Sequence, residues 1–368
     1  MHVKIAYLVS AQNLTEAKKT CHKVRYEQSV ELPDNTLSSY IRENYVGHLE
    51  DIQEIGNETY YAEISYNKEL LGDDFSQLLN VLFGNVSLFD NVTICGIDWK
   101  SLPITERLGP RFGIPGIRAL LQVPDRALTC TAIKPVGFTS SKLAELVYQF
   151  SVGGIDIIKD DHGLSNQSFS TFTSRVDACM NAVNQSEDET GKRSLYFPNI
   201  TADGSETIKR FEYAIEKNCG GVLVCPQLCG LGSVNQLRNL NQTLPIMAHP
   251  AFSGAYVREP VPAFTKAFYY GELWRAMGAD FVIYPNYGGR FSFRLEECLE
   301  INTALRKDSL PFKKSFATPG GGLQRNTIPR FLHDYGNDTV FLIGGSLYQH
   351  PKGIKYGAKE FLEMVSDS

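Results

Sequence analysis

The sequence predicts an α/β protein, with a C-terminal (β/α)8 barrel preceded by an N-terminal α+β domain. Three observations predict it. From about Val123 onward, short apolar runs rich in β-branched residues recur, each followed by a polar or Gly-rich turn and a stretch of helical spacing. Eight such units follow one another at an even repeat, which suits a closed parallel barrel better than an open doubly wound sheet. The 368 residues also exceed the roughly 250 of a single barrel, leaving roughly 118 for another module.

In chain order, the N-terminal part reads as a strand at Val3 to Val9, an amphipathic helix at Ala11 to Arg25, and a strand at Glu58 to Asn67. A helix over Asp73 to Phe83 and a strand at Asn91 to Asp98 follow. The Gly- and Pro-rich stretch Pro103 to Leu120 serves as the connector, so residues 1–120 form the first domain and 121–368 the barrel. The barrel strands are expected at Leu128 to Ile133, Gly154 to Lys159, Ser194 to Phe197, Gly221 to Cys225, Leu244 to Ala248, Ala279 to Tyr284, Ser315 to Thr318 and Thr339 to Ile343. Between them, helical spacing covers Ser140 to Ser151, Ser170 to Asn184, Ser205 to Asn218, Phe264 to Met277, Phe293 to Lys307 and Asn326 to Tyr335. Several of these open on a Ser, Thr or Asn able to cap.

Composition narrows the function. With 36 basic and 41 acidic residues, the net charge of -5 offers no basic field for nucleic acid. No apolar run approaches the roughly 18 residues of a membrane span, and the start turns polar too quickly for a signal peptide. A cytoplasmic enzyme without membrane contact is the expectation. Eight scattered cysteines, without paired zinc spacing, read as reduced core thiols.

In a (β/α)8 barrel the chemistry gathers at the carboxyl ends of the strands. Here the first strand runs into Lys134-Pro135, the second into Lys159-Asp160-Asp161-His162, the third into Pro198-Asn199 and the fifth into His249-Pro250. Strand alternation puts Lys159 and Asp161 on one face and Asp160 on the other, so an ammonium and a carboxylate enter the mouth together, with His162 just beyond. A salt-bridged strand end and a Schiff-base lysine are the competing readings. Gly320-Gly321-Gly322 and Gly344-Gly345 end strands seven and eight, the usual phosphate loops of this fold, although single glycines there also serve tight turns. The loop Tyr287-Gly288-Gly289-Arg290 has the makeup of a lid that closes a cation on an anionic substrate, or of a solvated loop arginine.

Ile133-Lys134-Pro135 followed by Gly153-Gly154-Ile155-Asp156-Ile157-Ile158-Lys159-Asp160-Asp161 resembles the large chain of ribulose-bisphosphate carboxylase (RuBisCO), particularly the RuBisCO-like proteins of form IV. Met247-Ala248-His249-Pro250-Ala251-Phe252-Ser253-Gly254-Ala255 is similar to the fifth-strand motif of that branch. The stretch from Asp338 through Gly344-Gly345 to Gly353 resembles its eighth-strand phosphate loop. The resemblance covers nearly the whole chain. It implies a ferredoxin-like N-terminal domain and a homodimer with shared active sites, in which Glu27 and Asn85 complete the site of the neighbouring subunit. It further implies carbon dioxide bound as a carbamate on Lys159, with Asp161 as a second ligand to magnesium, and Lys134 poised for proton transfer. By the same resemblance Gly322, Gly344 and Gly345 bind phosphate, with Gly321 beside them.

The departures from the family carry as much information. The family's Lys-Asp-Asp-Glu becomes Lys-Asp-Asp-His at His162. Pro250, Ser253, Ile283, Val136 and Arg290 stand where RuBisCO has arginine, histidine, histidine, lysine and lysine. These changes argue against carboxylation of ribulose bisphosphate. His162 fits a metal site retuned by a nitrogen ligand, with manganese or another divalent ion in place of magnesium, or a general acid or base beside a weakened magnesium site, or a metal-free site. The expected activity is that of a carboxy-lyase or isomerase on a small phosphorylated substrate. Decarboxylation or C–C cleavage of 3-oxo-isoapionate 4-phosphate, a phosphorylated keto sugar acid, leads. It is set against enolase or isomerase chemistry of methionine salvage, of the 2,3-diketo-5-methylthiopentyl-1-phosphate enolase type, and against a barrel that binds phosphate ligands without turnover. His249, Lys134, Lys159 and His162 are the expected catalytic residues, with Lys159, Asp161 and His162 around the metal.

Overall fold

The computed structural model describes residues 2–240, 243–258 and 260–366 and divides into two compact units. The first runs to Leu108 and takes in Ser253–Tyr269 and Ser309–Pro311. Its strands are β1 (His2–Ser10), β2 (His48–Gly56), β3 (Thr59–Asn67) and β4 (Val92–Ile97), with helices at Leu14–Glu27 and Phe75–Phe83. The sheet order β2-β3-β1-β4, antiparallel throughout, with a helix after β1 and another after β3, is the ferredoxin-like arrangement. In β1 the alternation is strict: Val3, Ile5, Tyr7 and Val9 are buried while His2 and Lys4 are exposed. Asn13 opens the first helix by accepting the Glu16 N–H at 3.0 Å, and Ala17, Cys21 and Val24 form its buried face.

Two expectations change here. β2 was not anticipated, because His48-Leu49-Glu50-Asp51-Ile52 lacks alternation; it is an exposed edge strand with only β3 beside it. The helix expected from Phe264 starts later, because Phe264 lies extended beside β4. The Ile94 N–H donates to the Ala263 carbonyl at 2.9 Å, and the Thr265 N–H to the Ile94 carbonyl at 3.1 Å. The π-helical segment Ala267–Leu273 and the helix Trp274–Met277 follow.

The second unit holds eight parallel strands: β5 (Leu128–Ile133), β6 (Ile157–Asp160), β7 (Leu195–Phe197), β8 (Val222–Val224), β9 (Ile246–Ala248), β10 (Phe281–Pro285), β11 (Phe316–Gly320) and β12 (Val340–Ile343). Neighbours follow chain order, β12 pairs with β5, and the seam between β7 and β8 is closed just past β7. There the Leu223 N–H donates to the Pro198 carbonyl and the Ile200 N–H to the Leu223 carbonyl, both at 2.9 Å. Leu128, Cys130, Ile157, Phe197, Leu223, Met247, Phe281 and Phe316 fill the interior.

The expected boundary at 120/121 moves to 108/109. The helix Gly113–Leu121, assigned from its glycines and proline to a connector, belongs to the barrel, with Ile114 and Ile117 in the barrel core. Asp280 fixes it by accepting the N–H groups of Phe112 at 2.9 Å and Gly113 at 2.8 Å, while its other oxygen takes the Ile246 N–H at 3.0 Å. Burial pushes the Asp280 carboxyl up to about 6 even though those N–H donors pull it down. All eight cysteines are free thiols, and no described helix is long and apolar enough to cross a membrane.

Candidate active site

β6 presents its charged residues to opposite sides. Asp160 points out of the barrel into a fully buried network. It takes the Arg175 guanidinium at 2.9 Å, the Tyr196 hydroxyl at 2.7 Å and the Asn199 N–H at 2.9 Å. Lys159 and Asp161 face the mouth, as the alternation predicts. The helix Phe172–Thr190 runs beyond the expected Asn184 and carries Arg175 into this network.

Lys134, at the end of β5, reaches across so that its Nζ lies 2.8 Å from Asp161 Oδ2. The other carboxylate oxygen accepts the Gly163 N–H at 3.0 Å and stands 3.2 Å from His162 Nδ1. The His162 ring stacks on that of His249, with centroids 4.3 Å apart and planes 15° from parallel. The Ala251 N–H points at His249 Nδ1 from 3.1 Å, which fixes the neutral ring as the tautomer carrying its proton on Nε2. Lys159 Nζ is buried and, among the described residues, donates only to the Asp160 carbonyl, at 3.1 Å.

The electrostatics follow from burial and from an excess of cations. Burial alone would raise the Asp161 carboxyl, but the hydrogen bonds from Lys134 and Gly163, together with the Lys134 and Lys159 charges, hold it at about 2. Burial lowers the Lys159 ammonium and outweighs the Asp161 charge. It also lowers both imidazoles. Lys159, Lys134 and Arg290 add to the effect on His162, opposed by Asp161, and Lys159 and His162 are the next largest influences on His249. The mouth therefore holds two imidazoles that protonate less readily than usual, a buried lysine that gives up its proton more readily than an exposed one, and one carboxylate held ionised.

The glycine loops differ among themselves. Gly321 and Gly322 have φ of +93° and +71°, and a Cβ on Gly322 would stand 2.9 Å from the Gly289 nitrogen and 3.0 Å from Gly288. The loops after β10 and β11 thus lie backbone against backbone. Space is open around Gly344 and Gly345, and the Ser346 hydroxyl after them is buried without a partner. Arg290 rests with its guanidinium 5.0 Å from the Phe291 ring. In the first unit, Asn85 Nδ2 donates to Glu27 at 2.9 Å and to Glu31 at 2.7 Å, so Glu31 joins the two residues expected there. Sequence reading gave no role to two further residues. Asn199 binds the carbonyls of His162 at 3.0 Å and Leu164 at 2.9 Å and so shapes the turn that carries His162; its place after the third strand was the available signal. Tyr348 has no signal in the chain pattern.

Among the described residues no three His, Cys, Asp or Glu side chains converge as a metal site. Asp161 and His162 stand together, and the third donor of the expected set is Lys159, which must first become an anion. Its environment suits that change: a buried amine whose burial eases loss of its proton and that makes no ion pair among the described residues. The donor set therefore fits a divalent cation held by a modified Lys159, Asp161 and His162.

Residues 113–290 match the family model of the ribulose bisphosphate carboxylase large chain, catalytic domain. The ribulose bisphosphate carboxylase-like protein 1 of Rhodopseudomonas palustris is 33% identical, over 98% of this chain and 97% of that one. The 5-methylthioribulose-1-phosphate isomerase of Rhodospirillum rubrum is 32% identical, over 89% and 86%. The crystal structure of a RuBisCO-like protein from Rhodopseudomonas palustris superposes with a TM-score of 0.89 at 31% identity, covering 100% of this chain and 98% of that one. A barrel with a lysine and a carboxylate at the end of its second strand, and an N-terminal ferredoxin-like unit, defines the class of the RuBisCO large chain. Within that class, the chain belongs to the RuBisCO-like family.

Proposed function

We propose that this protein is a RuBisCO-like carboxy-lyase that removes carbon dioxide from a phosphorylated β-keto sugar acid, with 3-oxo-isoapionate 4-phosphate as the substrate. The observation that carries the reading is the charge count of the mouth. Lys134 and Arg290 bring positive charge to it against the single carboxylate Asp161, because Asp160 is turned away and neutralised by Arg175, and Lys159 is left out of that count because as a carbamate it is an anion offset by the divalent cation it would hold. Such a mouth suits a substrate with two anionic groups, a phosphate and a carboxylate.

Gly321, Gly344 and Gly345 leave open space for the phosphate, Gly322 packs the loop after β11 against the loop after β10 beside them, Ser346 is an added hydroxyl donor, and Arg290 can leave Phe291 and close on the site. A divalent cation, magnesium or manganese, on carbamylated Lys159, Asp161 and His162 would stabilise negative charge on the substrate's oxygens. As the C–C bond to the carboxylate breaks, its electron pair passes to the ketone and forms an enediolate. His249 offers Nε2–H to an oxygen of that enediolate, and the Lys134 ammonium, held by Asp161, gives its proton to the carbon that lost carbon dioxide. Water restores the Lys134 proton.

Exposed Leu32 and Leu88 flank Glu27, Glu31 and Asn85, and exposed Val136, Phe138, Phe252 and Phe291 lie on the loops after β5, β9 and β10. These two apolar surfaces support a homodimer in which the first unit of one subunit covers the mouth of the other. The test is release of labelled carbon dioxide from the carboxyl-labelled keto acid in the presence of bicarbonate and magnesium or manganese. A second reading, isomerisation or enolisation of a phosphorylated keto sugar, draws on the 32% identity to the 5-methylthioribulose-1-phosphate isomerase. It predicts proton exchange without carbon dioxide release.

A further inference from the structure

The last ladder pairs of β5 are Ile133 with Asp160 on one side and Thr131 with Ile343 on the other. Lys134 therefore has no strand partner on its β12 side. The Tyr348 hydroxyl stands in that place: it accepts the Lys134 N–H and donates to the Ala132 carbonyl, both at 2.8 Å. A phenol has one proton to give, and with that proton on Ala132 the oxygen can only accept from Lys134. The ring is held edge-on against Phe150, with centroids 5.4 Å apart, so the hydroxyl is delivered by a fixed side chain. Tyr348 also ends the short turn Gly345–Tyr348, directly after the open Gly344–Gly345 loop.

We propose that Tyr348 is a positioning residue that holds the Lys134 ammonium on Asp161 and couples its placement to occupancy of the Gly344–Gly345 loop by an anion. The proposal rests on the reading of Lys134 as the proton-holding group of the mouth. Lys134 Nζ is half exposed and 2.8 Å from Asp161. Its reach depends on where its backbone stands, and the hydroxyl fixes that backbone with two hydrogen bonds.

The test uses trace acetylation of the whole protein with acetic anhydride in a phosphate-free buffer, read peptide by peptide by mass spectrometry. Lys209, exposed and remote in the chain, serves as the internal control. Tyr348→Phe keeps the ring against Phe150 and removes both hydrogen bonds, and it is expected to raise acetylation of Lys134 about fivefold while Lys209 stays unchanged. Tyr348→Leu, which also removes the ring, is expected to match it. Wild-type labelling of Lys134 in Tyr348→Phe, or a change confined to Tyr348→Leu, overturns the positioning role. Inorganic phosphate, added as the probe, is expected to slow Lys134 acetylation about fivefold in the wild type and not in Tyr348→Phe. No slowing in either protein, or equal slowing in both, overturns the coupling. These readouts involve no turnover, so failure of the decarboxylation assay alongside the expected labelling counts against the proposed reaction alone.

Discussion

Replacing Arg175 with methionine tests how the site is held. Arg175 and Asp160 are both fully buried, and the guanidinium also donates to the carbonyls of Ser165 at 2.8 Å and Ser170 at 3.2 Å. Removing one member of a buried ion pair costs about 3–5 kcal/mol, because the other charge stays out of water without its partner. Tyr196 and the Asn199 N–H remain on Asp160 and offset part of this, which places Arg175→Met at about 3 kcal/mol. Asp160→Asn with Arg175→Met removes both charges, so the double variant should be more stable than the sum of the two single losses by about 1 kcal/mol or more. Urea denaturation of the four proteins, with matching slopes, measures both quantities. A cost for Arg175→Met below about 1 kcal/mol, or strict additivity, would refute the claim that this pair anchors the strand. Since Lys159 and Asp161 flank Asp160 in the chain, loosening it should also lower turnover.

Asp280 gives a pH dependence of stability. Its carboxyl binds protons more tightly folded, at about 6, than in the unfolded chain at its ordinary 3.8, so stability falls as pH rises between those values. The loss is at most about 3 kcal/mol, and Asp280→Asn should flatten that part of a denaturation series taken across the window. Gly322→Ala meets the Gly288–Gly289 backbone at a φ of +71°, so calorimetry should show a cost of about 1 kcal/mol or more, with weaker phosphate binding. Gly344→Ala, in open space, should keep its melting temperature while still weakening phosphate binding; equal melting temperatures for both variants would contradict the packing of the two loops. Leu88→Glu charges an exposed leucine beside Asn85, and sedimentation should show a shift from dimer toward monomer.

All eight barrel strands were legible in the sequence because each is a short apolar run ended by a polar turn, and helices such as Ser140–Val152 and Phe172–Thr190 because Thr139 and Thr171 cap them, whereas the helices Leu231–Leu240 and Ile354–Ser366 were not anticipated. What failed did so for physical reasons. The edge strand β2 has one neighbour and both faces largely in water, so it needs no alternation. Phe264 sits in a helical pattern, but its neighbours Ala263 and Thr265 bond the backbone of Ile94 and hold it extended, a contact between residues far apart in the chain. The helix after Gly113 looks like a loop because its N-terminal donors are satisfied by Asp280, 167 positions away from Gly113. At the site, Lys134, Lys159, Asp161, His162 and His249 could be found because strand periodicity places each at a strand's end. Tyr348 could not, since its role is set by a hydroxyl meeting the backbone of a residue 214 positions earlier. Glu31 was overlooked beside Glu27 because only the fold shows one amide, that of Asn85, serving both carboxylates.

The central claim, that the cationic mouth decarboxylates a phosphorylated β-keto sugar acid, is tested most directly by one measurement. Carboxyl-labelled 3-oxo-isoapionate 4-phosphate is incubated with the wild-type protein, bicarbonate and magnesium or manganese, and the released label is trapped, with Lys159→Ala alongside. Labelled carbon dioxide from the wild type and none above background from Lys159→Ala is the predicted result. No labelled carbon dioxide from the wild type, while the same preparation enolises a diketo phosphate, would contradict it.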